Sequence, residues 1–255
     1  MSTQDGGHRD AAVAAIADRA YERAGDEYTR AGWRVLADPR PDVAPFEADE
    51  KGWIGIGLGY LAAAGICYAV DGAPTRASRR AVEGIAVTRD LEDGFEHPAQ
   101  RACLSEFVAD FRAIGGMDGV ASAYEDAESA YTEAADSIEE PQTRGTTPLF
   151  EAAAAAIKQL ARGLANGEIA VEWSDLHGDD PNRPGEFLAA RAVYKRQRFE
   201  GLLERSVDAG FLAAPRGTTE YATDHHRCPD CGSTDVNWVA DSTLCLRCSR
   251  PTDPQ

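Results

Sequence analysis

Apolar residues recur at helical spacing through most of the chain before residue 210. The first such run predicts a helix from Ala11 to about Ala37, where Tyr21, Ala24, Tyr28 and Ala31 fall within an arc of about 80° at 100° per residue. Pro39 and Pro41 end it, and 41–50 is a connector. Lys51 to about Val70 reads as a second apolar helix, crowded with Gly55, Gly57, Gly59, Ala62, Ala63, Ala64 and Gly65, which lets a neighbouring helix approach closely at some cost in helix propensity. Asp71-Gly72 stops this helix, and Pro74 opens the next, to about Glu92. Further helices are predicted over Pro98–Ile114, closed by Gly115-Gly116, and over Met117–Ile138, stopped before Pro141. Gln142 to Thr147 reads as a polar linker, Pro148 to Asn166 as an Ala-rich helix, and Ile169 to Trp173 as a strand or helical turn. A loop from Asp175 to Gly185 precedes a long helix, Glu186 to Asp208, with Leu188, Ala192, Phe199, Leu202 and Leu203 on one face. Phe211 to Tyr221 is expected to fold back as a hairpin about Arg216-Gly217.

The tail changes character. Cys228-Pro229-Asp230-Cys231 and Cys245-Leu246-Arg247-Cys248 are two CxxC pairs. Each two-residue gap lets two sulfurs of one tight turn face a common point, the arrangement a tetrahedral Zn2+ ion requires, whereas a redox pair or a disulfide are the alternatives for either pair alone. Gly232 follows the first pair, Asp235 to Val239 alternates as a strand does, and Thr243-Leu244 begins a second strand. On these residues the tail resembles the zinc-ribbon family. The resemblance implies a structural zinc held by Cys228, Cys231, Cys245 and Cys248, and no particular activity.

A second regularity lies in the helices. Tyr124-Glu125-Asp126-Ala127 and Tyr131-Thr132-Glu133-Ala134 restate Tyr21-Glu22-Arg23-Ala24 and Tyr28-Thr29-Arg30-Ala31, while Ala64, Cys67, Tyr68, Gly72 and Ala77 suggest a hairpin between them. The offset is close to three periods of a ~34-residue helical hairpin. The region from Ala11 to Ile138 resembles tetratricopeptide-like repeats of the kind found in soluble vesicle-fusion attachment proteins. The alternative is a helical bundle with Tyr and Ala facing inward. The expected fold class is therefore mainly α, a helical-hairpin repeat or bundle carrying a small C-terminal β zinc ribbon. Its parts are a loose N-terminus at 1–10, a repeat region at 11–140, a second helical region at 148–210 and the ribbon at 224–255.

Charge sharpens the picture. Asp and Glu number 43 against 26 Lys and Arg, for a net charge of -17, and only Lys51, Lys158 and Lys195 are lysines. An acidic surface almost without lysine resembles that of proteins from salt-loaded cytoplasm, of halophilic archaeal character, where screening offsets self-repulsion. It also argues against broad nucleic-acid binding. In the tail, Asp224, Asp230, Asp235, Asp241 and Asp253 outnumber Arg227, Arg247 and Arg250. No run of eighteen apolar residues marks a membrane span, and Met1 to Asp10 has no apolar stretch of a secretory signal.

Other residue groups invite a chemical reading. Arg191, Lys195, Arg196 and Arg198 make the most basic stretch, which with the following hairpin faintly resembles a winged-helix reader; a solvated or acid-paired face is the plainer reading. Asp175, His177, Asp179 and Asp180 gather around a loop that could hold a hard cation, but the regular oxygen-ligand spacing of a calcium loop is lacking and an acidic surface loop is the plainer reading. His225-His226 stands beside the first knuckle as a possible replacement ligand. Cys67 and Cys103 lie singly in helical patterns and read as small core residues. No P-loop, dinucleotide-binding glycine pattern, GxSxG or HExxH occurs, and no catalytic residue is nominated. The leading expectation is a cytoplasmic adaptor or scaffold binding a protein partner through its helical surface and ribbon, with Trp238 as an interface anchor or a cover for the knuckles. The alternative is a transcription-related regulator that reads nucleic acid through the ribbon and the basic helix.

Overall fold

The computed structural model describes residues 7–37, 51–163 and 171–255. Among them lie ten α-helices: α1 (His8–Ala17), α2 (Tyr21–Ala37), α3 (Gly52–Val70), α4 (Pro74–Glu92), α5 (Pro98–Ile114), α6 (Val120–Glu133), α7 (Pro141–Gly145), α8 (Pro148–Leu160), α9 (Trp173–Leu176) and α10 (Pro184–Asp208). Five short strands follow: β1 (Thr218–Glu220), β2 (His226–Arg227), β3 (Val236–Val239), β4 (Ser242–Cys245) and β5 (Asp253–Pro254). The class is the expected one, mainly α with a small C-terminal antiparallel sheet region.

The bundle is built around α3. Each of α2, α4, α5, α8 and α10 packs on it, and its side chains are buried on most sides. That explains its composition: a helix surrounded by neighbours has no solvated face to make polar. Its length and apolarity would also let it cross a membrane, but two-thirds of that window is buried inside the protein. The small residues do what their size allows: a Cβ added at Gly55 would stand 3.0 Å from the Leu149 Cα, so α3 and α8 meet there almost backbone to backbone. The repeated Tyr and Ala positions all point inward, with Tyr21, Tyr28, Tyr124, Tyr131, Ala24, Ala31, Ala127 and Ala134 buried.

Several boundaries differ from those read in the sequence. The run from Ala11 is two helices, because Arg19 takes a left-handed φ of 64° between α1 and α2 and turns the chain. Helix α1 also starts earlier, at His8, inside the stretch expected to be loose; residues 1–6 lie outside the described residues, as do the connector at 41–50 and Ile169. The helix expected over Met117–Ile138 is α6 followed by a single 3-10 turn, Ala135–Ser137, and the linker after it contains α7. Phe211 to Tyr221 is not a hairpin: Thr218, Thr219 and Glu220 pair with Trp238, Asn237 and Val236. The long-range partner wins because β3 also pairs with β4, so β1 completes a three-stranded sheet where a lone two-stranded ribbon would be marginal.

Candidate metal centre

The sheet places the four tail cysteines. Strands β3 and β4 pair antiparallel, with Val236 opposite Cys245 and Val239 opposite Ser242, so β4 delivers Cys245 into the second knuckle. Each knuckle is closed by the same local bond: the Gly232 N–H donates to the Cys228 carbonyl and the Ser249 N–H to the Cys245 carbonyl, both at 2.9 Å. The residue after each second cysteine has positive φ, 72° at Gly232 and 60° at Ser249. Glycine adopts that conformation without penalty, whereas serine does not. Ser249 has a compensating role: its buried Oγ accepts from the Ala214 N–H at 2.9 Å and ties the knuckle to the segment after α10.

The sulfurs converge. Cys228 and Cys248 lie 3.5 Å apart, Cys231 and Cys245 likewise 3.5 Å, and all four Sγ atoms fall within 4.8 Å of one another. This set can hold one metal ion among four thiolates. All four cysteines are free, and each sulfur lies close to the other three. The thiols already interact: Cys245 is drawn down to about 5, chiefly by its hydrogen bond with Cys248, against the opposing effect of burial.

The chain matches no known family model, no curated protein and no solved structure.

The centre is fastened to the bundle by arginines that donate to backbone carbonyls. Arg19 reaches the Cys248 carbonyl at 3.2 Å while its guanidinium lies 4.4 Å from the Phe211 ring centroid. Arg250 donates to the Ala17 carbonyl at 3.1 Å, and Arg162 to the Leu246 carbonyl at 3.1 Å. Val239 and Leu244 join the same apolar core as the helices. The left-handed turn at Arg19, which breaks the first predicted helix, thus belongs to the residue that meets the second knuckle.

The remaining candidates sort clearly. His225 and His226 are not in the sulfur cluster: His226 lies edge-on to Trp238 at 5.1 Å, with Thr252 Oγ1 3.2 Å from its Nδ1, and His225 contacts Thr223 and Asp224. Trp238 is 37 % exposed, whereas Val236 and Val239 on the same strand are buried. The Asp175–Asp180 loop does not assemble a cation site. His177 is buried and stacked on Trp173 with ring centroids 3.7 Å apart, and burial holds its pKa below the usual imidazole value. Asp175 caps α9 by accepting from the Glu172 N–H, and Asp180 accepts from Asn182. Cys67 and Cys103 are fully buried, and burial pushes both thiols up, Cys103 to about 12, so neither is a poised nucleophile.

The basic helix holds the main surprise. Arg191 and Lys195 are not on the surface of α10: they are 1 % and 0 % exposed. Arg191 donates to both carboxylate oxygens of Glu106, at 2.7 and 2.9 Å. Lys195 uses its three protons on Glu106 at 2.7 Å, Asp110 at 2.7 Å and the Ala153 carbonyl at 2.6 Å. The Tyr131 hydroxyl donates to Glu106 and accepts from Arg191, and the Tyr124 hydroxyl donates to Asp110. Two cations and two carboxylates thus balance inside the bundle and join α5, α6, α8 and α10. Burial raises the Glu106 pKa, but Arg191 and Lys195 outweigh it and hold the group down to about 2; burial dominates at Asp110 and pushes it up to about 6. The signal was present in the sequence as complementary i, i+4 pairs, Glu106 with Asp110 and Arg191 with Lys195, on separate helices.

Proposed function

We propose that this chain is a zinc-stabilised helical scaffold that binds a protein partner in the cytoplasm. Zinc is the ion favoured by four thiolates in two CxxC knuckles, and a Zn–S bond of about 2.3 Å implies sulfur separations near ~3.8 Å, within the range the four Sγ atoms span. Bound there, the ion would lock the fold of the tail; four thiolates around one divalent ion leave the centre negative, which suits structure more than anion recognition. Cys228, Cys231, Cys245 and Cys248 are the ligands in this reading.

The observation that carries the choice of partner is where the arginines point. A nucleic-acid reader needs cations free to meet phosphate. Arg196 is paired with Glu128 at 2.9 Å, Arg247 with Asp235 at 2.9 Å and Arg250 with Asp230 at 3.1 Å, while Arg191 and Lys195 are consumed inside the bundle. The same tail presents Trp238 and Tyr221, 37 % and 49 % exposed, as large rigid side chains of the kind that anchor protein interfaces.

The test compares partner capture from native lysate by the full chain and by Trp238→Ala, with zinc measured on both. The reading expects one zinc per chain in each and loss of the captured partner in the variant. Tight binding of the full chain to RNA or DNA at working salt would overturn it.

A further inference from the structure

The two cysteine knuckles are held unequally. The second is tied to the bundle at the Leu246 and Cys248 carbonyls, by Arg162 and Arg19, and is joined at Ser249 to the segment after α10. The first, Cys228 to Ser233, closes on itself: the Gly232 N–H donates to the Cys228 carbonyl, the Cys228 N–H to the Ser233 carbonyl and Arg227 to the Gly232 carbonyl. The sulfurs differ in the same sense. Cys228, Cys245 and Cys248 are buried, whereas Cys231 is exposed. It lines an open recess with Ser233, Asp235 and Arg247, polar walls that admit a small polar molecule from solvent.

Oxidation of a thiol depends on access, and its outcome depends on a second sulfur within reach. Both conditions meet at Cys231, because the Cys245 Sγ stands 3.5 Å from its own, on the opposite knuckle. A disulfide needs the sulfurs about 2.05 Å apart, and the remaining movement falls to the first knuckle, since the second is tied down. We propose that Cys231 is a site of oxidative modification by hydroperoxides, with Cys245 as its resolving partner, and that their disulfide displaces the metal. The displacement rests on the zinc reading above. In the first step the Cys231 thiolate attacks a peroxide oxygen; an S–O bond forms, the O–O bond breaks and hydroxide leaves, giving a sulfenic acid. The Cys245 thiolate then attacks the Cys231 sulfur, the S–S bond forms and the S–O bond breaks with loss of a second hydroxide. The two sulfurs together give up two electrons, which the peroxide gains, and solvent protonates the hydroxides. Two of the four ligands are thereby withdrawn from the proposed zinc.

The test uses the full chain loaded with zinc, its metal content measured before any oxidant is added. Hydrogen peroxide is then titrated in the presence of a chromogenic chelator, the remaining thiols are capped with N-ethylmaleimide, and the disulfides are mapped. Cleavage before Asp230, Asp235 and Asp241 and after Arg247 puts each of the four cysteines on its own peptide. The Cys231–Cys245 link should be the main product, at least about fivefold above any other disulfide, and should form in step with zinc release. Brief N-ethylmaleimide treatment of the unoxidised chain should modify Cys231 about tenfold faster than any other cysteine, the buried Cys67 and Cys103 included. A chain that takes up no zinc at the outset removes the metal reading and this one with it. Full zinc at the outset, followed by first reaction at another cysteine, by Cys228–Cys231 or Cys245–Cys248 as the main disulfide, or by zinc retained as Cys231 is oxidised, overturns this proposal and leaves the metal reading standing.

Discussion

Two buried arginines of this protein live in opposite surroundings. Arg191 lies in the closed centre of the bundle, chelated by Glu106 and backed by Tyr131, and its pKa is driven up because the neighbouring carboxylate more than offsets burial. Arg162 sits just past the end of α8, bonded to carbonyls, and its pKa is driven down by burial and by the nearby Arg216. Identical side chains at similar depth therefore carry different meanings. The first belongs to a buried network of two cations and two carboxylates that joins four helices. The second, among the described residues, has backbone carbonyls and no carboxylate for partners.

The comparison breaks most decisively at its closed end. Arg191→Met leaves Glu106 buried with Lys195 shared between two carboxylates; breaking such a pair costs about 3–5 kcal/mol, which denaturant unfolding should record. Arg162→Met should cost less, about 1–3 kcal/mol, since it strands two carbonyls and no charge. Equal losses would remove the distinction between the two sites.

The metal centre stands between those extremes. Cys231→Ser, or chelation, should release the proposed zinc and disorder β3 and β4, while circular dichroism retains the helical signal. Because Val239, Leu244 and the Arg19 and Arg250 contacts tie the sheet to α1, the melting temperature of the helices should fall as well. A helical transition unmoved by metal loss would mean that the docking contacts carry little energy.

Acid separates the two carboxylates of the network. Glu106 has a folded pKa near 2 against an ordinary 4.5, so the stability it contributes is present above 4.5 and is lost as pH falls toward 2. Asp110 is shifted the other way, from 3.8 to about 6, so the folded state binds its proton more tightly and that contribution, present below 3.8, is lost as pH rises through 6. At pH 7, Asp110→Asn should therefore destabilise less than Glu106→Gln. The reverse order in parallel unfolding curves would assign the strained carboxylate wrongly.

The smallest effect expected is that of salt on the surface, set against its absence in the core. Lowering salt from molar to millimolar extends the screening length from ~3 Å to tens of Å and should lower the melting temperature of a chain with net charge -17. The difference in stability between wild type and Arg191→Met should stay nearly constant across that range, because the network is shielded from solvent ions.

What the sequence determined by itself was whatever depends on neighbours along the chain. Helix positions followed from 3.6-residue periodicity, most ends from Pro and Gly, and the convergence of Cys228, Cys231, Cys245 and Cys248 from the geometry of two tight turns. Pairings between distant segments were decided only by the tertiary structure. Thr218–Glu220 chose β3 because a third strand completes a sheet that already existed there, and no local signal encodes that choice. Arg191 and Lys195 read as part of a solvated or acid-paired face; they are paired and also interior because Glu106 and Asp110, some 85 residues away, offer charges at the same helical spacing. Arg162 carried no sequence signal, since its character comes from burial against the carbonyls of Ala214 and Leu246, which are distant in the chain. A side chain's type is local, but its electrostatic environment is a sum over the fold, and that sum exists only once the helices have packed.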